Sequence, residues 1–163
     1  MPRHMQLTLL ALLALVGCNK PQAPPAATTP SEHIAPSPVG TTQVVLEKTF
    51  NLKGSAVFPF EIPAHAAQPH LHGIFESFAG KVHGLSDDSA NLDFLILNED
   101  QHTDFLANRP SEAVFSVEAS HNQSVNFDLP ASMNQPVKYY LVFRDTGANK
   151  TKKVVEANFR VDF

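Results

Sequence analysis

The last ten residues, VVEANFRVDF, leave little choice of local structure. Val155, Ala157, Phe159, Val161 and Phe163 fall on one side of an extended chain. Glu156, Asn158, Arg160 and Asp162 fall on the other. Side chains of a strand alternate with a period of two, so this run is a β-strand with one dry face and one wet face. The dry face needs a second layer to cover it.

Weaker forms of the pattern recur upstream. Val44, Leu46, Phe50 and Leu52 alternate across VVLEKTFNL. The run VFPFEI follows, and Pro59 assigns it to an edge or a bulge, because proline cannot donate to a ladder. Then come LHGIFESF, GKVHG, LDFLILN, AVFSVEA, QSVNFDL and VKYYLVFR. Turn-forming stretches such as AHAAQP, LSDDSAN, ANRPSE, PASMNQP and DTGANK separate them. Short strands at this spacing predict an all-β domain over residues 44–163: an antiparallel β-sandwich, jelly-roll-like, of eight or nine strands. Only DQHTDFLAN reads as helix, one turn or two. Folds that need repeated helices of ten residues or more are excluded. The chain has 12 Phe, 2 Tyr and no Trp, which favours a packed core over a polar aromatic surface. Tyr139 and Tyr140 are adjacent on one strand, so one caps the core and the other lies on the outer face, either packed under a loop or exposed beside Val142 as part of a binding patch.

Ahead of the domain the chain changes character. Residues 5–17, MQLTLLALLALVG, form an apolar run too short for a transmembrane anchor and of the right length for an export signal. It ends at Cys18, the one cysteine in the chain. Residues 19–43 hold six prolines among Ala, Thr and Ser, which reads as an extended spacer. The stretch Leu15-Val16-Gly17-Cys18 resembles the lipobox of bacterial lipoproteins. That resemblance implies cleavage before Cys18 and acyl chains on its thiol, anchoring the protein in a lipid bilayer. Asn19 after the cysteine then implies the outer membrane. The expected organisation is a signal peptide at 1–17, a lipidated Cys18 and tether at 18–43, and a sandwich at 44–163. A single cysteine excludes an intrachain disulfide.

The segment SVNFDLPASMNQPVKYYLVFRDTG resembles the GOLD (emp24-like) and pre-peptidase C-terminal sandwich domains. Phe127, Leu129, Pro130, Tyr139, Leu141 and Phe143 match their layout of a strand, a Leu-Pro turn and a second strand. Asp145 stands where that layout often has Asn. The resemblance implies a secreted β-sandwich that contacts proteins or ligands. It carries over no catalytic residue.

The histidines are the candidate chemistry. His70 and His72 are two apart and share a strand face, which suits Cu or Zn, and His83 is a third candidate ligand if its strand pairs with theirs. The acidic stretches SDDSANLD and NEDQHTD supply oxygens of the kind Ca²⁺ takes, without the offsets of an EF-hand. Lys150, Lys152 and Lys153 read as a hairpin loop facing water. No serine sits in a G-x-S-x-G context, and His121, Asp128 and Ser124 are the components a hydrolase would have to assemble. The net charge of −4 with no basic cluster speaks against nucleic acid as a partner. The expectation is a membrane-anchored interaction or structural module of the cell envelope, without catalysis. Its partners are the bilayer, through the Cys18 acyl chains, and a protein or envelope component. A small-ligand or metal-binding module using His70, His72 and His83 is the second reading.

Overall fold

The computed structural model describes residues 38–80, 87–147 and 152–163. Eight strands run through them: β1 (Thr42–Leu52), β2 (Ser55–Ile62), β3 (His70–Ala79), β4 (Leu92–Asn98), β5 (Phe115–Ser120), β6 (Asn122–Asp128), β7 (Val137–Arg144) and β8 (Lys153–Asp162). One helix, α1 (Glu99–Leu106), joins β4 to β5. The strands form two four-stranded sheets in the orders β1-β8-β3-β6 and β2-β7-β4-β5. Every pairing is antiparallel. First pairs with last, second with seventh, third with sixth and fourth with fifth, so the chain is one long hairpin wound over two layers. That connectivity is the eight-strand jelly roll, and the expected fold class stands. The candidate strand GKVHG runs into residues outside the described set.

The alternation expected for β8 is observed. Val155, Ala157, Phe159 and Val161 are buried. Phe159 stacks on Phe94 of the opposite sheet at 5.1 Å between ring centres, and Phe94 meets Phe143 at 5.1 Å and Phe75 at 5.5 Å. Stacked and tilted contacts of this kind add to the area the rings bury. The phenylalanine-rich composition thus becomes a phenylalanine core.

Val44 corrects the expectation for β1. It points outward, because the register shifts between Val44 and Leu46 and the extra residue turns the chain over. Leu46 and Leu52 remain in the core, with Phe50 packed against it. Pro59 lies in β2, an edge strand of the second sheet, as expected. Between β5 and β6 only His121 intervenes, yet the strands belong to different sheets. Ala119, with φ of 49°, begins this corner, and its N–H donates to Asp93 Oδ1 at 3.1 Å.

Candidate functional site

Four outward-facing residues form a line across the first sheet at the end where β1 begins. Thr42 is opposite Asp162, Asp162 opposite His70, and His70 opposite Asp128. His72 lies one step further along the same face, between Arg160 and Asn126. This is the face-sharing expected of residues 70 and 72. Their rings are nearly parallel, 22° apart in tilt, with centres 6.0 Å apart.

Each imidazole has its own carboxylate. His70 Nδ1 is 2.6 Å from Asp128 Oδ1. In the neutral ring that contact uses the Nδ1–H and leaves the Nε2 lone pair free to accept a proton or a metal. His72 Nε2 is 3.2 Å from Asp162 Oδ2. The nitrogen is covered and makes no hydrogen bond there, so ring and carboxylate are close neighbours only. Thr42 Oγ1 donates to Asp162 Oδ1 at 2.6 Å. That hydroxyl holds the Asp162 carboxyl below the usual carboxylate range, helped by the nearby imidazoles and opposed by partial desolvation.

The ladder pairs these groups instead of converging them. Among the described residues, no three His, Cys, Asp or Glu side chains surround a point where an ion would fit. His83 lies outside the described residues, as does Cys18. Both flanks of His72 are taken, by Arg160 in β8 and Asn126 in β6.

The acidic stretches are absorbed into structure. Asp87 caps a short 3-10 turn and accepts from the Ser89 hydroxyl and amide, which pull its carboxyl below the usual range. Asp93 is buried and bonds Arg144 Nη2 at 2.8 Å. Asp104 receives Arg109. His121 bonds Asn91, whereas Ser124 and Asp128 lie on the outer face of β6, so these three do not form a catalytic group. Lys153 is buried, against the expectation of a loop facing water, because it continues the inward row of β8 and pairs with Asp145.

A second feature was only half legible. α1 lies on the outer face of the second sheet, over Leu97, Tyr140 and Val142. Tyr139 faces the core and stacks on Phe60, whereas Tyr140 faces out and is covered by His102 of α1 at 3.8 Å between ring centres. Burial, and then Lys138, lower the pKa of His102. The helix is held at both ends. Asn98 accepts from the Gln101 amide while the Gln101 side chain accepts from Asn98 N–H, a capping box. At the far end Asn108, with φ of 52°, donates to Phe105 O, and Arg109 N–H reaches Asp104 O at 2.9 Å, a Schellman closure. The sequence cue was NEDQ, where Asn and Gln stand three apart.

No family model matches this chain, and no curated protein matches it.

Proposed function

We propose that this chain is a non-catalytic interaction module of the cell envelope, held at a bilayer by acyl chains on Cys18 and spaced from it by residues 19–41, since β1 already begins at Thr42, two residues before the boundary expected from the sequence. The observation that carries the reading is the outer face of the first sheet. It offers a four-strand surface on which Thr42, Glu47, Ser124, Asn126 and Asp128 are all exposed beside the outward apolar side chains of Val44 and Ile74. A protein or envelope component is the partner such a surface suits, in keeping with the resemblance to GOLD and pre-peptidase C-terminal domains. The lipobox-like LVGC supports the anchor and the outer-membrane address. Detergent-phase partitioning of the full chain tests the anchor: the wild type enters the detergent phase and Cys18→Ala stays in the aqueous phase. Equal partitioning of the two overturns it. Crosslinking of the full chain on intact cells tests the module, with Asn126→Arg expected to abolish the main adduct; an unchanged adduct pattern counts against this face.

The second reading is a metal-binding module, favoured by the orientation of His70 by Asp128 and the nearness of Asp162 to His72. Ion binding there requires the rings to turn toward each other. Calorimetric titration with Zn²⁺ and Cu²⁺ tests it: binding that disappears in His70→Ala/His72→Ala supports it, and no saturable heat removes it.

A further inference from the structure

We propose that the cleft between α1, the loop after it and the outer face of the second sheet binds a small amphipathic monocarboxylate, an aliphatic chain ending in one carboxylate group. The cleft encloses about 500 Å³. It adjoins a second hollow of about 690 Å³, and Phe105, Arg109, Pro110 and Arg144 line both. Pockets of a few hundred Å³ with an apolar lining and a few placed polar groups are the usual form of a small-ligand site.

The apolar part comes from the sheet and the helix. Leu95 and Leu97 project from the outer face of β4. The helix closes over Leu97 and leaves Leu95 and Phe105 partly open to the cleft. Ala113 adds a further apolar contact from the loop. An outward leucine next to a helix that stops short of covering it is a wall with room for a hydrocarbon chain.

The polar part comes from Arg109 and Arg144. Arg109 gives Nε and Nη2 to one oxygen of Asp104, which fixes the guanidinium plane. Arg144 gives Nη2 to Asp93, itself buried. Its Nε is buried and has no hydrogen-bond partner. The Arg144 side chain is 44% exposed, and a carboxylate entering the cleft is the acceptor that suits a guanidinium whose Nη2 alone is bonded. Glu112 and Glu118 also line the cleft. Their charge disfavours a phosphate or any polyanion. The walls are set before binding, because α1 is closed by the capping box and by the Schellman turn that carries Arg109.

The test is a titration of the ¹⁵N-labelled full chain, followed by amide shifts, with octanoate, octylammonium and a hexapeptide of alternating Glu and Leu as separate probes. Octanoate is expected to shift the amides of Leu95, Phe105, Arg109 and Ala113 in a saturable way, and octylammonium to leave them in place. Arg109→Gln is expected to weaken octanoate binding about tenfold. Ser116→Phe, which fills the floor of the cleft from an exposed position, is expected to abolish it while the dispersion of the spectrum shows the fold intact. Arg144→Lys, which keeps the charge and the Asp93 pair, is expected to bind more weakly than the wild type. The proposal is overturned if octanoate gives no saturable shift, or if octylammonium matches it. Unchanged binding in Ser116→Phe, or saturation by the hexapeptide alone, overturns it as well.

Discussion

Lys153 Nζ lies 2.5 Å from Asp145 Oδ1, with the two side chains 1% and 9% exposed. Lys153 opens β8 in the first sheet, and Asp145 follows β7 in the second, so the pair ties the two layers at one end of the sandwich. Asp145 also accepts from Gly147 N–H at 3.0 Å and donates its own N–H to Gly54 O at 2.7 Å. Removing one partner strands a charge away from water, whereas removing both does not. Lys153→Met is expected to destabilise the fold by about 3 kcal/mol, and Lys153→Met/Asp145→Leu by clearly less than the sum of the single changes. Urea denaturation of the three variants checks this, and additive losses would show that the charges do not interact.

Gly73 has no room for a side chain in the first sheet. A Cβ there would meet Asn158 O at 2.3 Å and Phe159 Cα at 2.8 Å, both backbone atoms that cannot step aside. The glycine lets Phe159 cross over β3 to reach Phe94. Gly73→Ala is therefore expected to cost about 3 kcal/mol, the upper end for overpacking a core. Its thermal melting point, compared with that of Ala79→Gly at the end of the same strand, checks the assignment. A near-neutral Gly73→Ala would mean that β3 and β8 can separate.

The capping box makes α1 dependent on Asn98. Asn98→Ala removes the acceptor for the Gln101 amide, and a loss of about 1 kcal/mol is expected. Because the helix is only eight residues long and none of it is fully buried, the loss falls locally. Hydrogen exchange is expected to speed up at amides of 99–109 and not in β8. Uniform acceleration across the domain would contradict this.

His102 gives the fold a pH dependence of known sign. Its pKa is below the ordinary value in the folded state, owing to burial on Tyr140 and then to Lys138. As the pH falls through the unfolded value of about 6.5, the unfolded chain takes up the proton first, so stability is lost on acidification toward the lower folded value. His102→Phe keeps the stacked ring and removes the proton. Its urea midpoint is expected to drop less than that of the wild type between about pH 7.5 and pH 5. An equal drop would place the dependence on other groups.

How much of this was readable in the chain differs from element to element. β8 was legible because its alternation is strict and one face is wet. β1 was legible as a strand, but its bulge was not, so Val44 was assigned to the wrong face. One inserted residue inverts every side chain beyond it, and nothing in VVLEK marks the insertion. The pairing of His70 with His72 on one face followed from spacing. Their separate partners, Asp128 and Asp162, did not, because they come from strands 58 residues away in one case and from the chain terminus in the other. Lys153 sat in a basic run that looked like any solvated hairpin, and only its register with the inward row of β8 reveals it as buried.

The sequence by itself determined the all-β class, the number of strands within one, the edge-or-bulge placement of Pro59 and the phenylalanine core. These depend on local period and on residue chemistry, which short-range sterics translate directly. Only the tertiary structure decided which strands pair and where charge meets charge. Those outcomes depend on contacts between residues far apart in the chain, such as Asp93 with Arg144 and Thr42 with Asp162. Their energies exist only after the two sheets have closed on each other, so no local pattern announces them.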